Sequence, residues 1–207
     1  MSTAIGERID FDPRLLGERL GGLLNSLVVP RPIAWVSTRS RNGVDNLAPH
    51  SYFRVASVHP PVVQFISLGA KDSLRNVRER GDFVVNVATY DLARAVNATA
   101  TEYPPEGSEF DAVGLKREPS TRVRPPRVAA SPIAIECRTT GEMAFPEATV
   151  VFGEVVHIAV TPELLRDGLV ATDLLEPLAR LGRSDWARLG EVFELRRLPD
   201  VAPTAVR

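Results

Sequence analysis

Cysteine is almost absent from this sequence of 207 residues, in which Cys137 stands alone. A single cysteine excludes an internal disulfide and every CxxC metal motif. The lack of disulfides fits a reducing compartment such as the cytoplasm. Cys137 ends the mostly apolar run 133–137 (IAIEC), where it suits either a buried, inert thiol or a nucleophile.

The sequence also lacks a charge excess and long apolar runs. Its 26 acidic and 25 basic residues give a formal charge of −1. This balance gives no reason to expect nucleic acid or an anionic membrane as a partner. No run approaches the roughly 18 apolar residues of a membrane span, and residues 1–10 lack an apolar signal segment. We therefore expect a cytoplasmic protein that binds neither nucleic acid nor membrane.

Several motifs of common sites are missing as well. Neither GxGxxG nor GxxxxGK[ST] occurs, which argues against the two commonest nucleotide-binding loops. The GxSxG motif of hydrolases is also absent. The three histidines, His50, His59 and His157, are not spaced as metal ligands, so we expect no bound metal.

What the sequence does contain is a series of short apolar strands separated by turns. Residues 33–38 (IAWVST) are mostly apolar at consecutive positions, which indicates a strand buried on both faces. An Asn-Gly turn at 42–43 leads into a second hairpin arm at 44–48. Further strands are predicted at 52–58, 62–68, 83–88, 131–140, 148–160 and 191–197.

The predicted helices are short: 14–25, 72–80, 91–98, 162–170 and 173–181. Asp72 or Ser73 is expected to cap the second of these, and Gly81 to end it. The Pro/Gly-rich residues 101–127 are expected to form a long surface loop. Because hairpins join most strands, the pattern favours a mainly β protein with peripheral helices, built as a closed antiparallel barrel. We divide it into an N-terminal arm and short helix (1–24), a barrel (25–160), and C-terminal helices with a final strand (161–207) that belong to the same domain.

A candidate phosphate site lies where the helix 72–80 begins, directly after a predicted buried strand. Amides in the first turn of a helix lack internal partners and carry the positive end of the helix dipole. A phosphate there would meet those amides, the Ser73 hydroxyl and the Lys71 ammonium, beside Asp72. The same residues also suit an ordinary helix cap next to a solvated lysine.

Ser37 and Thr38 end a buried strand and point to opposite faces of it. One of them is placed to donate a second hydrogen bond to the same phosphate. Local bonding within the turn before Ser40 explains these hydroxyls equally well.

A candidate site for a flat ring lies in residues 46–53 (NLAPHSYF). Pro49 must break the strand, which frees neighbouring amides and carbonyls to face a ligand. The Asn46 and Ser51 side chains add polar groups, and His50 is the best candidate for a polar contact near a substrate. The alternative is an irregular strand corner with Asn46 bonded within its own turn.

These motifs resemble those of the flavin reductase-like family, the FMN-binding split β-barrel proteins. Order and spacing agree across nearly the whole chain. The matching segments are 30–38 (PRPIAWVST), 46–53 (NLAPHSYF), 60–63 (PPVV), 71–76 (KDSLRN), 81–86 (GDFVVN), 153–156 (GEVV) and 181–183 (LGR).

The resemblance implies a Greek-key-like antiparallel split barrel, a homodimer, and FMN bound in a cleft at or near the subunit interface. It implies an oxidoreductase that passes hydride from NADH or NADPH to flavin, with FAD as a further flavin substrate and, in many members, a partner oxygenase. By position, the phosphate and ribityl chain would be surrounded by Ser37, Thr38, Ser67, Lys71, Asp72 and Ser73. The ring would be lined by Asn46, Leu47, Ala48, His50 and Ser51. No catalytic side chain is assigned, because the flavin ring carries the chemistry.

Two departures from the family pattern open a second hypothesis. Relatives often carry a histidine, associated with nicotinamide handling, shortly before the GEV element, where this chain has residues 149–152 (TVVF). They also often have an aromatic residue after the LGR motif, where this chain has residues 184–186 (SDW). The first departure favours an FMN-binding electron-transfer protein without nicotinamide-dependent activity of its own. A third hypothesis places pyridoxal phosphate or haem in the same barrel.

Overall fold

The computed structural model describes residues 6–104 and 106–196. Its strands are β1 Arg31–Pro32, β2 Ala34–Arg39, β3 Asp45–His50, β4 Phe53–Ser57, β5 Val62–Leu68, β6 Asp82–Val87, β7 Arg117–Glu118, β8 Arg127–Val128, β9 Ile133–Ala144, β10 Ala148–Val160, β11 Leu165–Arg166, β12 Leu169–Val170, β13 Ala179–Arg180 and β14 Trp186–Ala187. Its helices are α1 Arg19–Leu27, α2 Asp72–Arg80, α3 Ala93–Ala98, α4 Glu109–Ala112 and α5 Thr172–Leu175. Short 3-10 turns cover Pro13–Leu15, Tyr90–Leu92 and Pro162–Leu164. None of the helices within the described ranges is long and apolar enough to cross a membrane.

The longer strands form one curled antiparallel sheet in the order β3-β2-β6-β9-β10-β5-β4. The end of the edge strand β3 approaches β5, where the His50 Nδ1 atom lies 3.0 Å from the Ile66 carbonyl oxygen. The His50 and Phe65 rings also lie together, with centroids 4.7 Å apart. The predicted mainly β, antiparallel fold with peripheral helices is confirmed.

Strand β2 is buried on both faces because it separates two apolar cores. Ala34 and Val36 point into an inner core that α2 closes with Leu74 and Val77. Trp35, which lies between them, points into an outer core covered by α3 and α4. This outer core consists of Ile33, Trp35, Leu47, Ala88, Val96, Phe110, Val128 and Leu178. Each large apolar side chain buried in this way contributes about 1.5–3 kcal/mol. The prediction of a strand buried on both faces is therefore confirmed for β2.

Gly153 allows the long hairpin of β9 and β10 to pass over the inner core. A Cβ atom at this position would lie 2.4 Å from the Phe83 ring and 3.0 Å from the Cys137 Cβ atom. Such contacts are far inside van der Waals distance, so only glycine fits here without repacking. The glycine of the GEVV motif is thus explained by packing, and Cys137 beside it is fully buried.

The region after residue 160 differs from the prediction. Residues 162–170 form a 3-10 turn and the β11–β12 hairpin, because Asp167 and Gly168 have φ values of 53° and 78° and reverse the chain. Residues 173–181 hold the end of α5 and then β13, because Glu176 has a φ of 45° and Pro177 follows it. The predicted helix over 162–170 is wrong, and that over 173–181 is wrong beyond α5. The predicted final strand is also wrong, since residues 191–196 form none; residue 197 lies outside the described residues.

Segment 101–127, predicted to be a surface loop, is anchored to the barrel at both ends. Ser108, Glu109 and Phe110 are buried near its start, and residues 125–127 are buried at its end. Phe110 is fully buried in the outer core. The segment therefore forms part of the wall of the molecule, although much of it is exposed.

Candidate functional site

A cavity of about 730 Å³ opens between the end of β3, the end of β5 and the start of α2. This volume lies within the range of small-molecule sites, about 300–1,000 Å³. One wall is apolar, formed by Ala48, Pro49, Ile66 and Leu68. Charged and hydrogen-bonding groups line the rest, namely Asn25, Arg31, Asn46, His50, Ser51, Tyr52, Lys71, Asp72, Ser73, Thr99, Thr101, Glu102, Tyr103, Glu109, Arg180 and Arg183.

Helix α2 presents unpaired amides to this cavity. Lys71 occupies the N-cap position, and no side chain among the described residues caps the helix. The first helical hydrogen bond runs from the Arg75 N–H to the Lys71 carbonyl, at 3.0 Å. The three preceding amides therefore have no acceptor within the helix, and they carry the positive end of its dipole. The predicted cap by Asp72 or Ser73 is wrong, because both residues lie inside the first turn.

The Lys71 ammonium is available to a ligand at the start of α2. Its side chain is 58% exposed, and its Nζ atom lies 3.6 Å from a Glu102 carboxyl that is 88% exposed. Ion pairs between such exposed groups contribute little, about 0–1 kcal/mol. An anion in the cavity would therefore recruit the ammonium at small cost.

A buried hydrogen-bond network fixes the side chains at the base of the cavity. The Asn46 Oδ1 atom accepts bonds from the Ser73 hydroxyl at 3.0 Å and the Thr38 hydroxyl at 3.2 Å. The Asn76 amide donates to the Thr38 hydroxyl at 3.0 Å. The Asn46 amide nitrogen in turn donates to the Glu109 Oε1 atom at 2.8 Å. The network joins β2, β3, α2 and α4, so the orientation of Asn46 is set before any ligand binds.

Glu109 is a buried carboxyl that the sequence analysis missed. It is 5% exposed, and its Oε2 atom accepts the Leu47 N–H at 2.9 Å. Glu109 takes part in no ion pair within residues 6–104 and 106–196. Burial raises the pKa of Glu109 above its ordinary value, and the hydrogen bonds from Leu47 and Asn46 offset only part of this effect. No sequence signal distinguishes it from the other acidic residues of segment 101–127.

His50 is a neutral hydrogen-bonding group at this site. It is 8% exposed, and burial lowers its pKa to about 4, with the nearby Lys71 charge acting in the same direction. Its Nδ1 atom donates to the Ile66 carbonyl at 3.0 Å, which leaves a lone pair on Nε2. Nε2 lies 3.4 Å from the Ser73 hydroxyl at the cavity wall. His50 can therefore accept a hydrogen bond there, but it supplies no positive charge at neutral pH.

The structure brings seven of the eleven predicted site residues to the cavity. They are Asn46, Ala48, His50, Ser51, Lys71, Asp72 and Ser73. The other four, Ser37, Thr38, Leu47 and Ser67, are fully buried and are not among the lining residues.

Internal contacts explain the placement of those four residues. The Ser37 hydroxyl donates to the Pro126 carbonyl at 2.5 Å, and the Ser67 hydroxyl donates to the Gly69 carbonyl at 3.0 Å. Thr38 belongs to the network beneath the cavity, and the Leu47 side chain fills the outer core. The prediction of direct ligand contact by these side chains is therefore not supported by their positions.

The mouth of the cavity is formed by parts of the chain that the sequence analysis did not assign to the site. The Tyr52 hydroxyl donates to the Asn25 side chain at 2.6 Å, which holds α1 beside the cavity. The buried Arg31 guanidinium donates to the Leu181 carbonyl at 2.8 Å and also to the carbonyls of Asn25 and Val28. It thereby joins α1 to the LGR motif.

Solved structures of known proteins share the fold of this chain. In solved structures, nitrilotriacetate monooxygenase component B from Bacillus cereus is 30% identical, with a TM-score of 0.90 over 92% of this chain and 100% of that one. The 2-nitrobenzoate 2-nitroreductase from Pseudomonas fluorescens is 31% identical, with a TM-score of 0.87 over 96% of this chain and 100% of that one. A protein with a split barrel domain from Shewanella frigidimarina is 20% identical, with a TM-score of 0.82 over 90% of this chain and 96% of that one.

The fold is thus the predicted split barrel. In addition, the family described as flavin reductase like domain matches residues 26–175, well over half of the chain. The match includes β2, β3 and α2, the elements that build the cavity. The chain therefore belongs to the flavin reductase-like domain family.

Proposed function

We propose that the cavity binds FMN and that the protein is an oxidoreductase that transfers hydride from NADH or NADPH to flavin. The observation that carries this proposal is the uncapped start of α2, which faces the cavity beside Lys71. A site with free amides, a helix dipole and an ammonium at one end suits a phosphate. The apolar lining residues Ala48, Pro49, Ile66 and Leu68 suit a flat ring.

The residues present fit the two ends of FMN. Lys71 and the first amides of α2, including the Ser73 amide, would hold the phosphate, while the Ser73 hydroxyl keeps its bond to Asn46. The irregular backbone around Pro49 and the side chains of Asn46 and Ser51 would face the ring. When bound, the flavin supplies the hydride-accepting chemistry, so no side chain need act as acid or base in that step.

Asn46 and His50 have orienting roles in this proposal. Asn46 is held by Thr38, Ser73 and Glu109, so its amide offers a fixed surface to the ligand. Neutral His50 presents its Nε2 lone pair beside Ser73, where a ligand hydroxyl can donate to it. Such prior fixation reduces the ordering cost of binding.

We also propose a homodimer and a partner oxygenase. Large apolar side chains on and around α1, beside the cavity mouth, remain exposed: Leu15, Leu24, Leu27, Val28 and Val29. Exposed apolar groups of this kind favour a protein–protein contact. The similarity to a protein named as a monooxygenase component supports an oxygenase as the recipient of reduced flavin. Light scattering on the purified protein should give the mass of two chains, and a monomer would contradict the dimer.

The second candidate is an FMN-binding electron-transfer protein without nicotinamide-dependent activity. It is favoured by Thr149, which is 7% exposed and pairs with Ser67 across β10 and β5. A threonine buried in the sheet is poorly placed to handle a second ligand. This observation concerns the nicotinamide step and leaves flavin binding untouched.

Absorption spectroscopy with rapid mixing tests both candidates. Purified protein should bind FMN, and the bound flavin should bleach promptly when NADH or NADPH is added. Binding without prompt bleaching would favour the electron-transfer protein. Failure to bind flavin at micromolar concentrations would contradict both, and a pyridoxal phosphate or haem spectrum would identify the third hypothesis.

A further inference from the structure

Glu109 conflicts with an anionic ligand in the same cavity. Its carboxyl bonds to the Asn46 amide at 2.8 Å, and the Asn46 carbonyl oxygen bonds to the Ser73 hydroxyl at 3.0 Å. A single side chain therefore separates the carboxyl from the helix start that would hold a phosphate. A phosphate at that helix start and the buried Glu109 carboxylate repel each other, and burial of Glu109 lowers the effective dielectric constant below that of water.

Two cations near Glu109 and the start of α2 pair with other carboxylates. In segment 101–127, Arg117 pairs with Asp45 at 2.9 Å and with Asp111 at 2.7 Å. Lys71 pairs loosely with Glu102, and the Asp72 carboxylate adds a further negative charge near Glu109. The cavity is also lined by His50, which is neutral, and by Arg31, Arg180 and Arg183, and the phenol hydroxyls of Tyr52 and Tyr103 complete its titratable groups.

We propose that Glu109 is a specificity-determining residue that responds to ligand charge: its carboxylate takes up one proton from solvent when a phosphate-bearing flavin binds, and takes up none when the flavin lacks the phosphate. The step adds one proton to one carboxylate oxygen and gives a neutral acid. The neutral acid still accepts the Leu47 and Asn46 hydrogen bonds and gains an O–H donor. This inference rests on the proposed binding of FMN.

Proton linkage gives the expected sign. Burial already raises the pKa of Glu109 in the free protein, and the phosphate raises it further in the complex. Between these two pKa values, binding consumes a proton, so the dissociation constant of FMN rises by up to about tenfold per pH unit. Below the lower value Glu109 is neutral in both states, and above the higher value it is ionised in both, so uptake vanishes at either end.

Isothermal titration calorimetry in two buffers of different ionisation enthalpy measures the uptake. The FMN phosphate itself titrates near about pH 6, so the titrations are run above about pH 7. We expect up to about one proton per FMN and none per riboflavin. Glu109→Gln should abolish the uptake and flatten the pH dependence of FMN affinity. Glu106→Gln, which removes an exposed carboxyl of the same segment, should retain the uptake.

The possible outcomes are distinct. Equal proton uptake in the unaltered protein and in Glu109→Gln overturns this inference while leaving flavin binding intact. If Glu109→Gln does not fold, the unaltered protein decides, because equal uptake with FMN and riboflavin overturns the inference and uptake with FMN alone supports it. Failure of both flavins to bind overturns the proposed function itself, and this inference with it.

Discussion

Segment 101–127 is joined to the barrel at each end by a buried glutamate, and the two glutamates differ. Glu136 lies on β9 and accepts hydrogen bonds from the Thr121 N–H at 2.8 Å, the Arg122 N–H at 2.6 Å and the Arg127 guanidinium at 2.6 Å. Glu109 lies in the segment and accepts two bonds from β3, with no cation partner among the described residues.

The pKa values of the two carboxyls diverge for this reason. Burial alone would raise the pKa of Glu136, but the bonds from Thr121, Arg127 and Arg122 together lower it below its ordinary value. Burial dominates at Glu109 and raises its pKa. A carboxylate that accepts four hydrogen bonds, two of them from a guanidinium, serves to fix structure. One that is incompletely compensated and lines a cavity remains able to respond to a ligand.

The largest expected effect is the loss of stability on removal of the hydrogen-bonded Glu136 carboxyl. Glu136→Ala leaves the guanidinium of Arg127, a residue 8% exposed, without its buried partner, and leaves two backbone amides without their acceptor. Breaking such a pair costs about 3–5 kcal/mol. Chemical denaturation should show this loss in the free energy of unfolding. A loss below about 1 kcal/mol would contradict the structural role of Glu136.

The second largest effect is expected on FMN affinity, at Lys71 beside the cavity. Lys71→Ala should weaken FMN binding by about 1–3 kcal/mol, because the phosphate loses a charge-assisted contact. Riboflavin, which lacks the phosphate, should bind nearly unchanged, and it serves as the matched ligand control. Fluorescence titration measures both affinities. Equal losses for the two ligands would place the lysine away from the phosphate.

The two glutamates should also give opposite pH dependences of stability. The stabilisation from Glu136 is fully present above its ordinary pKa of 4.5 and is lost as pH falls through its lowered folded-state value. That from Glu109 is fully present below 4.5 and is lost as pH rises through its raised folded-state value. Each slope is at most about 1.4 kcal/mol per pH unit.

Unfolding experiments across pH on Glu136→Gln and Glu109→Gln, compared with the unaltered protein, measure these slopes. The ligand-free protein is used, so that the result is independent of flavin. Slopes of the same sign for both variants would contradict the assigned difference between the two carboxyls.

The smallest effect is expected at an exposed carboxylate. Arg78 and Glu142 pair at 2.9 Å, but their side chains are 47% and 40% exposed. Exposed pairs of this kind contribute about 0.2–1 kcal/mol. Glu142→Gln should therefore shift the free energy of unfolding by no more than this in denaturant titrations. A shift as large as that of Glu136→Ala would show that burial does not determine how much a carboxylate contributes to the free energy of unfolding.

Local sequence signals predicted the barrel strands and several residues that line the cavity. The Asn-Gly turn and the apolar run of β2 act through neighbouring residues, so their consequences are readable from the chain. Lys71 and Ser73 were found for the same reason, because a strand directly precedes a helix start. Contiguous motifs around Pro49 likewise located one side of the cavity.

Other features differ from the expectation for both long-range and local reasons. Ser37 and Ser67 are in the expected strands, but the Ser37 hydroxyl donates to the distant Pro126 carbonyl and the Ser67 hydroxyl donates to the neighbouring Gly69 carbonyl. Glu109 reaches Asn46 across 63 positions of the chain, a contact that no local pattern encodes. The predicted helix at 162–170 is wrong because Asp167 and Gly168 form a hairpin turn, a local Asp-Gly signal that the helical prediction overlooked.

A crystal structure of the protein with FMN tests the central claim most directly. We expect the phosphate to lie within hydrogen-bonding distance of the Ser73 amide and the Lys71 ammonium, with the ring against residues 46–51. A bound flavin whose phosphate lies away from the start of α2 would contradict it.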